Sequence, residues 1–193
     1  MMLRAFIALE IPAGIQNAIA QSTASLRVAL PKTLVRWAAS QNVHLTLKFL
    51  GDISSTNLEH LAEKLKMETV SHEMFSMSVG GLGAFPTARR ARVIWVGLEA
   101  PTALEALQRG VEAAAAQMGY APEERPFSAH LTIGRVGQNV AASEMQLIRS
   151  ALEVTKVGTL GTLRVEAVSI FKSDLQPGGA VYTRLYTLPM KSI

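Results

Sequence analysis

Two four-residue segments of this 193-residue chain share one pattern. His44-Leu45-Thr46-Leu47 and His130-Leu131-Thr132-Ile133 both read His-x-Thr-x with an aliphatic residue at each x. Their histidines are 86 positions apart (130 minus 44), about one half of the chain. An imidazole ionises near pH 6.5, so one copy can take a proton while the other gives one. A threonine hydroxyl can donate to an anionic oxygen. In a strand successive side chains point to opposite faces, so His and Thr two positions apart share a face. Leu45, Leu47, Leu131 and Ile133 then point into a core. A single such segment reads equally well as a histidine on a half-buried sheet. Two copies at equivalent places point to one cleft fed by both. His60, on a polar helix face, and His72, within Ser71-His72-Glu73, have no such context and are expected to be solvated.

The surrounding pattern must supply the strands that carry these segments. Leu3–Leu9 is short and apolar and reads as a buried strand. Pro12 opens a helix over about 12–29, and Pro31 closes it. Val43–Leu50 is a strand ending at Gly51-Asp52, followed by a helix capped within Ser54–Thr56 and striped by Leu58, Leu61, Leu65 and Met67. Phe75–Val79 is a strand, and Gly80–Gly83 reads as a turn, since it lacks the Gly-Lys-Ser/Thr of a phosphate loop. Arg92–Leu98 is a strand. Thr102 and Glu105 form a capping box for a helix running to Met118, with Gly119 as its C-terminal cap. Phe127–Val136 is a strand, Ala142–Leu152 a helix, Leu163–Lys172 a strand, Gln176-Pro177-Gly178-Gly179 a turn and Val181–Leu188 a last strand. The order strand, helix, strand, helix, strand then recurs, which indicates an internal duplication. We expect an α+β fold of two packed lobes, forming one domain over 1–193 with approximate halves 1–90 and 91–193.

Composition narrows the chemistry. Hydrophobic residues make up 49% and charged residues 18%, the balance of a globular chain. No cysteine is present, which removes disulfides, thiol nucleophiles and cysteine-based metal sites. Asp52 and Asp174 are the only aspartates, so carboxylate-rich Mg²⁺ or two-metal phosphodiesterase chemistry is disfavoured, although 13 glutamates are available. Lys+Arg 19 minus Asp+Glu 15 gives +4. That excess lies in residues 1–96, with ten basic and six acidic residues, and a mild positive balance suits an anionic ligand. No apolar stretch reaches the roughly 18 residues of a membrane span, and Ala5–Leu9 is too short for a signal peptide. A cytoplasmic protein is expected.

With these residues in place, the sequence resembles the 2H phosphoesterases, whose hallmark is a pair of His-x-Thr-x motifs. Within that superfamily it is similar to the bacterial and archaeal RNA 2′,3′-cyclic phosphodiesterases, often named 2′-5′ RNA ligases. The likeness covers nearly the whole chain. It includes Arg4-Ala5-Phe6-Ile7-Ala8, the extended first motif His44–Gly51, and Gly83-Ala84-Phe85-Pro86 followed by Arg92-Val93-Ile94-Trp95. It also includes Gly134-Arg135 after the second motif, and the segment from Lys172-Ser173 to Tyr182. The resemblance implies a bilobal α+β fold with pseudo-two-fold-related lobes, largely antiparallel sheets flanked by helices, and an active-site cleft between them. It implies hydrolysis of RNA 2′,3′-cyclic phosphate ends to 2′-phosphomonoesters without metal or cofactor. In that reaction His44 is the proton donor, His130 the proton acceptor, and Thr46 and Thr132 hold the phosphate. The partners implied are RNA ends, tRNA fragments among them, met by a monomer. Two alternatives stay open. The same site run in reverse would join a 2′,3′-cyclic end to a 5′-hydroxyl in a 2′-5′ linkage, or the histidines could only grip phosphate in an RNA-end-binding module.

Supporting residues carry two readings each. Lys48 is expected on the face of His44 and Thr46, meeting phosphate or solvent. Arg135 lies five positions beyond His130 and points to the opposite face unless the strand bends at Gly134. Arg92, with Arg89 and Arg90, is placed to contact an RNA backbone or to sit in a solvated loop. Phe85 and Tyr182 are placed to stack on a base or to pack in the core.

Overall fold

A computed structural model describes residues 1–177 and 179–192. Nine strands and five helices longer than one turn follow in the order β1 (Met2–Glu10), α1 (Ala13–Ser22), α2 (Ala24–Ala29), β2 (Val35–Trp37), β3 (His44–Ser54), α3 (Ser55–Thr69) and β4 (Phe75–Phe85). Then come β5 (Val93–Leu98), α4 (Thr102–Ala116), β6 (His130–Val136), α5 (Ala142–Val154), β7 (Thr159–Val165), β8 (Ala167–Gln176) and β9 (Gly179–Pro189).

The strands form two antiparallel sheets, one ordered β3-β1-β8-β9 and the other β2-β6-β5-β4-β7. The α+β class and the two-lobed architecture expected from the sequence are what the chain adopts. Each motif strand, β3 and β6, pairs with a strand of the same half, β1 and β5. The lobes nevertheless do not coincide with the two sequence halves. The first sheet takes β1 and β3 from the N-terminal half and β8 and β9 from the C-terminal end. The helices cross over as well: α3 and α4 pack together on the first sheet, while α1 lies against β7 of the second. Each lobe therefore needs both halves, and one continuous core of buried aliphatic residues runs through the molecule.

Several element boundaries differ from the sequence reading for local reasons. The helix expected over 12–29 breaks at Thr23, where φ is −105° and the hydroxyl donates to the Ile19 carbonyl at 2.8 Å. Gly80–Gly83 is not a turn but part of β4. A Cβ on Gly83 would lie 2.2 Å from the Trp95 ring of the neighbouring strand, so glycine is required there for that ring to lie flat against the backbone. Thr102 does not cap α4; it is the first helical residue, and Pro101 takes the capping position without a side-chain bond. Leu163–Lys172 is two strands, because the chain leaves the second sheet after Val165 and enters the first at Ala167. The second motif strand begins at His130 itself, not at Phe127. The three-residue β2 had no sequence signal and forms by pairing with β6. Around the turn at 176–179, β8 and β9 pair antiparallel with Gln176 opposite Gly179; Gly178 lies outside the described residues.

Candidate active site

The two motifs fold alike, residue for residue. Along His44–Leu50 and His130–Val136 the burial alternates and then doubles at the same place, with two consecutive buried residues: Leu47-Lys48 in one strand and Ile133-Gly134 in the other. The cause is a bulge in each ladder. On β1, Ala8 faces Thr46 but Ile7 faces Lys48, so Leu47 is passed over. On β5, Trp95 faces Thr132 but Ile94 faces Gly134, so Ile133 is passed over. An extra residue on one strand re-phases every side chain beyond it.

That re-phasing decides three of the expected positions. Lys48 is turned away from the face of His44 and Thr46. It is 3% exposed, and its Nζ donates to Glu112 Oε2 at 2.8 Å and to the Ala121 carbonyl at 2.7 Å. It meets neither phosphate nor solvent. Arg135 is brought back onto the face of His130 and Thr132, opposite Val93, as the strand bends just before Gly134. Phe49, which the sequence reading passed over, moves onto the cleft face beside Phe6, with ring centroids 6.2 Å apart.

Both imidazoles are held the same way. Nδ1 of His44 lies 2.7 Å from the Asn42 carbonyl, and Nδ1 of His130 lies 2.7 Å from the Ser128 carbonyl. A carbonyl only accepts, so Nδ1 carries the hydrogen in each ring and Nε2 is left for the cleft. Neutral, that Nε2 is a base; protonated, it is an acid. The Asn42 segment is itself tied to the start of β9, since Asn42 Nδ2 donates to the Ala180 carbonyl at 2.8 Å. The motif strands β3 and β6 lie against each other between the lobes. His44 is consequently within the electrostatic reach of Arg135 and His130. Burial depresses its pKa most, and the Arg135 charge, with that of His130 whenever it is protonated, adds to the effect against the opposing hydrogen bond to Asn42.

The desolvation has a visible source. The Phe6 ring stacks on the His44 imidazole at 4.7 Å, and Tyr182 meets it edge-on at 5.2 Å. Phe171 lies beneath Phe6 at 5.4 Å. A cavity of about 290 Å³ opens beside His44, bounded by Phe6, Phe171, Tyr182, Glu10, Gln16 and Gln41. In the other lobe Phe85 stands edge-on to His130 at 4.9 Å and tilts against Trp95 at 5.2 Å. Phe85 and Tyr182 are therefore side walls of the two histidines. Phe6 joins them against His44, with Phe171 behind Phe6 and Trp95 behind Phe85. Phe6 and Trp95 lie in continuous apolar runs, in which no alternation marks their face.

The other expected positions lie elsewhere. Arg92 Nη1 donates to the Gly137 and Gln138 carbonyls at 3.0 and 3.1 Å and braces the loop after β6, while the side chain stays exposed. His60 is exposed on α3. His72 is not simply solvated: its Nε2 pairs with Glu68 Oε1 at 2.8 Å, with the side chain 18% exposed. Among the described residues, no three His, Asp or Glu side chains come together as a metal site.

Comparison with known proteins follows this geometry. The family model described as LigT like Phosphoesterase matches twice, over residues 9–95 and 96–182. An RNA 2′,3′-cyclic phosphodiesterase of Methanothermobacter thermautotrophicus is 32% identical over 183 residues, 95% of this chain and 96% of that protein. One from Aeropyrum pernix is 30% identical, over 79% of this chain and 84% of its own length. Among solved structures, E. coli LigT complexed with 3′-AMP superposes with a TM-score of 0.79 at 25% identity, covering 98% of this chain and 99% of that one.

Proposed function

The chain belongs to the LigT-like phosphoesterase family, and on that footing we propose that it hydrolyses RNA 2′,3′-cyclic phosphate ends to 2′-phosphomonoesters by metal-independent acid–base catalysis. The observation that carries this reading is the matched anchoring of the two imidazoles. Each Nδ1–H is bound by the carbonyl two residues upstream, which leaves two Nε2 atoms from two motifs for one cleft.

In the proposed reaction, His130 Nε2 takes a proton from the attacking water. His44 Nε2–H gives a proton to the departing 3′ oxygen, which leaves the phosphate on the 2′ oxygen. The hydroxyls of Thr46 and Thr132 donate to the non-bridging oxygens and hold phosphorus in line between the two rings. Arg135 faces the same space and favours the developing negative charge. The aromatic walls, Phe6 and Tyr182 on one side and Phe85 on the other, fix the rings and exclude water from their faces. Tyr182 and Phe85 are also the surfaces offered to a base. Both motifs come from one chain, so a monomer holds a full set of these groups. Among the described residues no helix is long and apolar enough to cross a membrane.

The test is incubation with an RNA bearing a 2′,3′-cyclic end in the presence of EDTA, followed by identification of the product phosphate. Turnover to a 2′-phosphate in EDTA is expected. Activity lost in EDTA and restored by a divalent ion would refute the metal-independent mechanism, and a 3′-phosphate product would reverse the donor and acceptor roles.

A further inference from the structure

We propose that Arg36, beside Arg135, forms a subsite for a second phosphate of an RNA chain, the one on the 5′ side of the nucleotide that ends in the cyclic phosphate. The proposal rests on the phosphodiesterase reading above and adds to it a preference for oligonucleotide ends over cyclic mononucleotides.

Arg36 is the middle residue of β2, the edge strand next to β6, and it lies directly opposite Arg135 in the antiparallel register. Partners in such a register project from the same face of the sheet. Val35, its neighbour in the chain, is fully buried and opposite Val136, so Arg36 faces the other way, toward the cleft side. Both arginines are exposed. Among the described residues neither guanidinium has a carboxylate within 4.0 Å. Arg149, Arg164 and Arg184 each sit on a glutamate, whereas Arg4, Arg89, Arg90, Arg109 and Arg125 are exposed and, like this pair, sit on none. What sets Arg36 and Arg135 apart is that they stand directly opposite each other beside the second motif.

Two like charges directly opposite each other weaken a sheet. A bound polyanion turns that repulsion into binding. The position argues for a phosphate other than the reacting one. Along β6 the cleft face carries His130, Thr132 and then Arg135, and Arg36 lies one strand farther out. The reacting phosphorus belongs between the histidines. A chain leading away from it past Thr132 brings its next phosphate toward the arginine pair, whereas a cyclic mononucleotide has no phosphate to place there. Sequence reading missed the site because β2 is only three residues long and its pairing cannot be inferred from its own pattern.

The experiment compares kcat and KM on a dinucleotide with a 2′,3′-cyclic end and on 2′,3′-cyclic AMP, for wild type, Arg36→Gln, Arg36→Lys and Arg149→Gln. Arg36→Gln is expected to lower kcat/KM on the dinucleotide at least tenfold more than on cyclic AMP, mainly through KM. It is also expected to flatten the log–log salt dependence of the dinucleotide by about 0.7, the share of one single-strand phosphate contact. Arg36→Lys should recover part of the difference, and Arg149→Gln should track wild type. Equal losses on both substrates, or none on either, in an active enzyme would overturn the subsite. Wild-type protein inert on both substrates would overturn the phosphodiesterase reading itself.

Discussion

Phe49 and Arg135 occupy the same place in the two halves: each lies five residues after a cleft histidine and reaches the cleft face only because a bulge falls at the last position of His-x-Thr-x. The duplicated motif is thus longer than four residues. It includes the bulge and the side chain that the bulge re-aims. The two halves have filled that last position differently, with an aromatic ring in one and a cation in the other. A site built by near-symmetric strands thereby gains an apolar side at His44 and a positive side at His130.

That asymmetry sets the pH response. Burial against Phe6, with the Arg135 charge nearby and that of His130 whenever it is protonated, holds the His44 pKa below its ordinary value near 6.5. Acid–base catalysis needs the pair to hold one proton between its two members, so kcat/KM is bell-shaped. The limbs belong to the pair, and the lower of its two pKa values lies no higher than that of His44, so the acidic limb is expected below pH 6.5. Arg135→Gln removes a positive charge, which eases protonation of His44 and must move that limb toward higher pH. A pH profile of kcat/KM for both forms checks the sign; a limb that stayed fixed or moved toward acid would contradict it.

Lys48 gives a prediction about stability. It is a buried cation whose ammonium holds Glu112 on α4 and the Ala121 carbonyl ahead of the second motif. Lys48→Met strands Glu112 without its partner. Removing one member of a buried pair costs roughly 3–5 kcal/mol, and here about 3 kcal/mol is expected because Glu112 keeps some contact with solvent. Lys48→Met/Glu112→Leu should recover most of that loss. Denaturant unfolding of the single and double variants decides it: a double variant no more stable than Lys48→Met would show that the ion pair is not the source of the cost.

The case of Lys48 also marks where the sequence stopped being legible. The paired histidines, the threonines beside them and the apolar alternation behind them could all be read, because period two holds from His44 to Thr46 and from His130 to Thr132. Beyond those points the phase depends on a bulge, whose one trace in the sequence is a change of aliphatic spacing from two to three, Leu47 to Leu50 and Ile133 to Val136, a step that period two does not anticipate. The same holds for Arg135, whose face turns on the bend before Gly134, and for β8, whose pattern runs on from that of β7 although the chain changes sheets at Glu166. Helix starts were legible where a side chain caps them, as Ser54 does for the Asn57 N–H at 3.1 Å. They were misplaced where proline takes that role, as Pro101 does.

The last prediction concerns the two histidines as a unit. Loss of either leaves the reaction without its acid or its base, and general acid–base catalysis contributes about 10²–10⁴-fold. His44→Ala and His130→Ala should each lower kcat by that order. The double variant should be little worse than the poorer single one, because groups that act in one step do not contribute additively. Folding should survive each change, since Leu45 and Leu131, both buried to 1% exposure or less, hold the strands from the other face. His60→Ala, on the exposed side of α3, is the internal control and should match wild type. The measurement is kcat for the four variants on a 2′,3′-cyclic-ended RNA, with circular dichroism to establish that each is folded. A folded single variant with near-wild-type turnover, or a double variant whose loss equals the product of the two single losses, would show that the histidines do not share one transition state.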